Sequence, residues 1–364
     1  MEIVNIELDA MDVDYDVLNV LDIPYDSCVI VDIETTGFSR SKNQIYLIGC
    51  VYFKENKWQL KQWLCQTLED ELMILKGFIA FMSPYDKVIH FNGNHFDMPF
   101  IQERCAVYHL PFNLDNHTSY DLYLSIKKYK SHLKLDNLKQ KTLERFLGIH
   151  REDLYSGGDL IGIFYHYVKD QDCNKKELLL LHNKDDLVGL LSLLPLLRYE
   201  ILFASFFNHV GSKKYQLILN DDVIHIQLES AIATYKPLVY TNEFFKITIH
   251  EKTINWFIFS ITDQLKVFFD NYKDYYYLPL EDEAIHKSVG TYVDVSRREQ
   301  AKASNCYIKK RDNFLPLFRP MNTTLFKKHY KDHMYYVSAN KILQDDNLIQ
   351  EYLMTFFHNE SIFL

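Results

Sequence analysis

The run VIVDIETTGF, residues 29–38, decides how the rest of the chain reads. Its β-branched start has the character of a buried strand, yet the run ends on Asp32 and Glu34 and then on Thr35, Thr36 and Gly37. Side chains two apart in a strand share a face, so two carboxylates stand side by side. They repel each other, and either a positive group neutralises them or one stays protonated. Hard divalent cations such as Mg²⁺ take oxygen ligands of this kind. The plainer alternative is a strand end opening into a solvated turn, and the fragment alone does not choose between the two.

Working outward, residues 27–198 alternate between strand and helix patterns. CVIVDI, IYLIGCVYF and KWQLKQWLC read as strands, EDELMILKGFIAFM as an amphipathic helix stopped by Pro84, and KVIHF as a further strand. DMPFIQERCAVYHL reads as a helix that tolerates Pro99 in its first turn, followed by a short strand ending at Asp121. DNLKQKTLERFLG closes on Gly148, GGDLIGIFYHYVK starts after its two glycines, and NKKELLLLHNKDDLVGLLSLLPLL forms a long apolar helix. Beyond about residue 200 the pattern turns to strands: KYQLIL, a turn at Asn220-Asp221-Asp222, VIHIQLE, FFKITIH, TINWFIFS, LKVFFDN and YKDYYYLPL. KILQDDNLIQEYLMTFF reads as one closing helix.

Composition bounds the class of protein. The chain has 364 residues, enough for two packed domains. Apolar residues make up 48% and aromatics 15%, with 26 Tyr and 25 Phe, as expected of a globular chain. The acidic N-terminus lacks the basic and apolar regions of a signal peptide, and no stretch reaches about 18 uninterrupted apolar residues. Six scattered cysteines without a CxxC pair read as reduced core residues. A cytoplasmic protein is expected. The net charge of −9 argues against a surface that binds nucleic acid everywhere, while leaving room for a local basic patch or a cation-recruiting site.

Two more fragments place acids among apolar residues. In VIHFNGNHFDMPFI a strand runs into Asn92 and Gly93, and Asp97 stands at the mouth of the next helix, where the helix dipole also favours an acid. In LLLLHNKDDLVGLLSLL, His182, Asn183, Asp185 and Asp186 interrupt an apolar helix, and an unpartnered buried charge there is costly. His182 and Asp186 are four apart and share a face; a local His–Asp pair is the plainer reading. Asp185 lies three from His182, so periodicity alone leaves both aspartates open.

In their order along the chain these fragments resemble the DEDD, or DnaQ-like, 3′-to-5′ exonuclease superfamily, which has the RNase H-like fold. The likeness is to its YprB-like branch, with motifs similar to DIETTGF, FNGxxFDxPF and HNxxD, here Asp32 to Phe38, Phe91 to Phe100 and His182 to Asp186; Asp121-Leu122 and Gly157-Gly158-Asp159 are also similar. The resemblance covers about half of the chain. It implies an α/β, RNase H-like mixed sheet flanked by helices over 27–199, after an N-terminal extension (1–26) and before a β-rich C-terminal domain (200–364) whose fold it leaves open. It implies that Asp32, Glu34, Asp97 and Asp186 are metal ligands for two ions of Mg²⁺ or Mn²⁺, with Asp186 chosen over Asp185. His182 would orient or deprotonate water, a role suited to imidazole. The superfamily more often has Tyr at this spacing, so the base assignment stays more open than the ligands. Thr35, Thr36 and Gly37 become candidate contacts for a terminal nucleotide, and Asn92 a brace for the Asp97 loop; an ordinary turn and an Asx turn are the plainer readings.

The implied partner is nucleic acid, single-stranded DNA or RNA, hydrolysed at its phosphodiester bonds. A catalytically silent RNase H-like scaffold that binds nucleic acid or protein is one alternative, and a phosphate-ester or nucleotide hydrolase another. Four converging carboxylates disfavour the silent scaffold, since a binding module has no need of them. Between residues 291 and 336, ten Lys or Arg stand against four Asp or Glu, interleaved with eight Tyr or Phe. That is the chemistry of single-strand binding, although a solvated basic face and a Tyr/Phe-rich core explain it too.

Overall fold

Cys28–Thr35 is a strand with almost every residue buried, flanked on both sides by other strands. It is the fourth strand from the antiparallel edge of a six-stranded sheet and sits where the sheet changes from antiparallel to parallel pairing. The computed structural model describes residues 1–8, 11, 13–149, 157–220 and 223–356. The chain divides into two compact units, Met1–Ile201 and Leu202–Leu364.

In chain order the first unit holds β1 (Glu2–Glu7), α1 (Tyr15–Val20), β2 (Cys28–Thr35), β3 (Ile45–Lys54), β4 (Lys57–Leu64), α2 (Glu71–Met82), β5 (Lys87–His90), α3 (Asp97–Val107), β6 (Thr118–Asp121), α4 (Leu122–Lys127), α5 (Gln140–Phe146), α6 (Gly157–Asp170) and α7 (Cys173–Ser192). A helix α8 (Arg198–Gly211) crosses the boundary. The six strands form one mixed sheet in the order β1-β4-β3-β2-β5-β6. Strands β1 to β4 pair antiparallel, and β2-β5 and β5-β6 pair parallel. Helix α7 packs on β2, β3 and β4, and α6 packs on α7. The run Cys173–Gly211 is apolar and long enough to cross a membrane by composition, but 67% of its most apolar part is buried within the protein.

The second unit is antiparallel. A five-stranded sheet runs β7 (Gln216–Asn220), β8 (Val223–Glu229), β11 (Thr253–Phe259), β10 (Phe245–His250), β9 (Leu238–Thr241). A three-stranded sheet joins β12 (Ile261–Phe268), β16 (Tyr307–Leu317) and β17 (Tyr335–Ser338). Another joins β14 (Glu283–His286), β13 (Tyr275–Leu278) and β15 (Glu299–Gln300). Short helices α9 (Lys287–Gly290), α10 (Ala339–Ile342) and α11 (Asp346–Met354) complete it. Trp256 anchors one core, its ring edge-on to Phe356 at 4.8 Å and to Phe206 at 5.3 Å.

Four expectations change. The N-terminal segment is not merely an extension: Glu2–Glu7 alternates half-buried and exposed residues and adds an edge strand on β4. The chain stays helical past residue 200, because RYEILFASFFNHVG keeps apolar residues at helical spacing up to Gly211. Helix α6 includes its two glycines instead of following them. The closing helix is two helices, since Asp345 caps the second by accepting from the Asn347 N–H at 2.7 Å. The turn residues Asp221 and Asp222 lie outside the described residues.

A buried ion pair ties the first unit's helices to its sheet. Glu71, at the start of α2, accepts from Arg104 Nε at 2.8 Å and Nη2 at 2.6 Å on α3, from the Tyr108 hydroxyl at 2.9 Å, and from the Ile45 N–H at 2.8 Å. The bonds to Arg104 and Ile45 satisfy groups that would otherwise be buried without a partner. Removing one member strands the others, so Glu71→Ala should cost about 3–5 kcal/mol of stability, read as a lowered urea midpoint.

Candidate active site

Strand β2 sets Asp32 opposite Gly49 and Glu34 opposite Leu47 on β3. The register then slips, and Thr35 pairs with Ile45, which leaves Tyr46 as the extra residue of a bulge. Bulges bend a strand and re-aim the neighbouring side chains. Tyr46 is buried and stacks on Phe164 at 4.2 Å. Burial pushes its hydroxyl pKa up, and the charges of Glu34 and Asp32 push in the same direction.

Helix α7 brings three polar residues to these acids. His182 Nε2 lies 3.2 Å from Asp186 Oδ2 and 3.6 Å from Glu34 Oε1. The ligand atoms of Glu34, His182 and Asp186 all fall within 4.8 Å of one another. Asn183 Nδ2 donates to Asp32 Oδ2 at 2.7 Å, and Asn183 Oδ1 accepts from Gln62 Nε2 at 2.8 Å. Gln62, fully buried on β4, also donates to the Leu180 carbonyl at 2.9 Å. A side chain at Gly49 would stand 2.0 Å from Asn183 Oδ1 and 2.5 Å from Leu187 Cδ1. Asn183, Gln62 and Gly49 were not among the expected site residues. The available signal was a single glycine inside the apolar run IYLIGCVYF, which marks a close approach.

Asp97 starts α3, and its Oδ1 accepts the N–H of Ile33 at 3.2 Å, between Asp32 and Glu34. Burial raises the Asp97 carboxyl to a pKa of about 7, against the pull of the N–H groups of Ile33 and of Asp97 itself. Asp32 is held well above the usual carboxylate range by burial, then by the charges of Asp97, Asp186 and Glu34, with the Asn183 bond opposing. The four acids therefore act on one shared space.

The loop that carries Asp97 hangs on Asp121 and His90. Asp121 accepts the N–H of Asn92 at 2.9 Å and of Asn94 at 3.2 Å, and it also caps α4. Asn92 takes a left-handed φ of 59°. It contributes to the loop through its backbone, and the bracing carboxylate is that of Asp121. His90 Nδ1 accepts the Gly93 N–H at 3.1 Å, so its Nε2–H donates to Ser119 Oγ at 2.7 Å, which in turn donates to Asn94 Oδ1 at 2.6 Å. This chain of bonds needs a neutral imidazole.

The turn after Glu34 is held internally. Thr35 Oγ1 donates to the Gly37 carbonyl at 2.9 Å, and Thr36 Oγ1 accepts the Gln44 N–H at 2.9 Å. Both threonines are buried. Gly37 has φ 154°, and any Cβ there would meet Asn43 at 2.7 Å. Phe38, which was not among the expected contacts, is 85% exposed with its ring edge-on to Phe96 at 6.2 Å.

Residues 29–198 match the family described as the RNase H superfamily. This segment is an RNase H-like domain. Its central strand β2 carries the first two acids and α7 the last. "Uncharacterized protein YprB" of Bacillus subtilis is 27% identical over 190 residues, which is 51% of this chain and 45% of that protein. The chain thus aligns with less than half of that relative's length. Among solved structures, a family B DNA polymerase from Pyrobaculum calidifontis is similar at 15% identity and a TM-score of 0.39, over 68% of this chain and 35% of that one. The metal-free form of an E. coli exonuclease I–single-stranded DNA complex is similar at 11% identity and a TM-score of 0.33, over 57% and 54% of the two chains. Overlaps at these scores carry no functional weight.

The RNase H-like domain offers a donor set suited to divalent ions. Asp32, Glu34, Asp97 and Asp186 offer hard oxygen donors, and the raised carboxyl of Asp32, pushed up by burial and then by the charges of the other three, carries a cost that a cation would relieve.

Two outcomes are expected. Gly49→Ala should lower stability by about 1–3 kcal/mol in urea denaturation, because Asn183 can retreat only by releasing Asp32. His90 is held down to a pKa of about 4, chiefly by burial, with Asp121 pulling the other way. An unfolded imidazole binds its proton near 6.5, so the unfolded chain holds more protons between those two values. His90's contribution should therefore be lost as pH falls from about 6.5 toward 4. Urea midpoints should rise with pH across that window in the wild type, and rise less in His90→Asn.

Proposed function

We propose that the chain is a metal-dependent nuclease, a 3′-to-5′ exonuclease that hydrolyses phosphodiester bonds of single-stranded DNA or RNA. The observation that carries this reading is the convergence of Asp32, Glu34, Asp97 and Asp186, with His182, on one face of an RNase H-like sheet. Two divalent ions, Mg²⁺ or Mn²⁺, held by the four carboxylates would supply Lewis acidity and a more acidic bound water.

The chain's own residues divide the remaining work. Asn183 orients Asp32, and the Ile33 N–H orients Asp97, so two of the carboxylates are held before substrate arrives. His182, beside both Glu34 and Asp186, would accept a proton from an attacking water or orient it. Thr35 and Thr36 shape the turn through their hydroxyls, leaving Gly37 and Phe38 at its exposed end. Gly37 leaves room for Asn43, which fixes the turn beside the substrate's end, and the Phe38 ring offers a face for a terminal base.

End-labelled single strands incubated with Mg²⁺ or Mn²⁺ test the reading. A ladder shortening from the 3′ end, absent in Asp32→Ala, is the expected result. Asp186→Asn should lose about 100-fold or more in rate, the scale of removing a group that stabilises the transition state, while Asp185→Asn keeps most of it. The reverse order would move the ligand to Asp185. Salt-sensitive binding without cleavage would identify a silent scaffold, and turnover of small esters alone a phosphate-ester hydrolase.

A further inference from the structure

The outer face of a small closed sheet in the second unit carries more positive groups than acids: Asp282 meets Lys309 and the Tyr307 hydroxyl, and Glu283 accepts the Lys309 N–H. Strand β16 pairs with β12 and β17, while Lys327 bridges to Lys266 and Phe326 to Tyr336, so the strands close around Leu265, Phe314, Phe326 and Tyr336. Residues directly opposite in antiparallel pairs share a face. Lys309 is opposite Lys266, and Lys266 is opposite Lys327, which sets three lysines in a row across neighbouring strands on the side away from that core. Adjacent strands lie about 4.8 Å apart, and like charges opposite one another are destabilising. Arg311 and Gln264 form the next pair along the same face.

Counter-ions are few there. Lys309 reaches Asp282 at 3.3 Å. Among the described residues, Lys266, Lys327 and Arg311 have no ion-pair partner. Asp263 and Asp312 are opposite each other on the inner face, and Asp312 is engaged by Lys310 at 2.6 Å and by Ser338 at 2.7 Å. Aromatic rings share the outer face. Lys266 lies 4.1 Å over Tyr307 and Lys327 4.4 Å over Tyr335. Phe268 is edge-on to Tyr307 at 5.2 Å and to Tyr330 at 5.4 Å, and Tyr330 is 44% exposed.

We propose that this face binds single-stranded nucleic acid, with Lys266, Lys327 and Arg311 on successive phosphates and the Phe268–Tyr330 edge against unstacked bases. A polyanion relieves the lysine row, and stacking is what the interleaved rings add for a strand whose bases are free. A duplex, an anionic membrane or an acidic protein would use the charge and leave the rings idle. The residues named belong to the second unit and none is shared with the acidic site, so binding here stands whether or not that site cleaves.

The test is fluorescence anisotropy of labelled oligothymidylate and oligouridylate with the full chain in EDTA, across a salt series. Lys266→Gln/Arg311→Gln/Lys327→Gln should weaken binding by about tenfold or more and flatten the log–log salt slope by about 2, since each lost single-strand phosphate contact removes about 0.7. Lys266→Gln alone should remove about a third of that slope change. Tyr330→Ala should weaken binding with the slope unchanged. Unaltered thermal melts confirm that the variants fold. Wild-type affinity and slope in the triple variant would overturn the proposal. Tighter binding to duplex DNA, phosphatidylserine vesicles or a polyglutamate competitor would overturn it in favour of that partner. Preference between the two oligomers decides DNA from RNA.

Discussion

Helix α7 can lie against β3 only because residue 49 has no side chain. The space a Cβ would fill is occupied by Asn183 and Leu187. That single close approach lets Asn183 bond Asp32 across 151 residues of sequence, and the same helical turn then sets His182 and Asp186 beside Glu34. Gln62 fastens the arrangement from the next strand, bonding both Asn183 and the helix backbone. The acids of the sheet and those of the helix are one site because one glycine permits contact.

Such a site is costly to build, and the surrounding structure shows how the cost is met. Asp97 is buried and Asp32 half-buried among other acids, and both carboxyls hold their protons more tightly than usual. Backbone N–H groups and the Asn183 amide offset part of this without introducing a competing cation. The only strongly buried Arg–Glu pair described in this domain, Glu71 with Arg104, ties α2 to α3 instead of quenching the acidic cluster. The loop before Asp97 is held by a neutral histidine and by the Asp121 carboxylate acting on backbone N–H groups. The site is thus rigid and negative, which suits a cation as its occupant.

The two units differ in net charge as well as in topology: the second carries 19 Lys or Arg against 19 Asp or Glu, so the acidic excess lies in the first. The chain carries a net charge of −9, yet on the outside of a closed antiparallel sheet the second unit gathers Lys266, Lys327 and Arg311, which have no ion-pair partner among the described residues. Local charge decides what a surface attracts, because screening confines each patch to about 8–10 Å. An overall acidic chain can therefore hold a cation-binding site in one unit and a phosphate-binding face in the other.

The sequence by itself determined the elements around VIVDIETTGF and which acids belong together in order. Strand and helix periods are local signals, and three acidic interruptions of apolar runs are visible without any contact map. It also located Gly148 after α5, where φ is 82°. Local patterns were silent where the partner is distant or the signal brief. Glu2–Glu7 is a strand because β4 offers an edge, and the aromatic and basic stretch became a patterned face only when Lys327 met Lys266 across a bridge. Thr36 turned inward because Asn43 and Gln44 close the turn over it, and the Thr35 hydroxyl is taken by the Gly37 carbonyl. Whether an acid points at another acid, or a lysine at another lysine, depends on register and on how closely elements pack. Those are properties of pairs of residues far apart in the chain, and only the tertiary structure decides them.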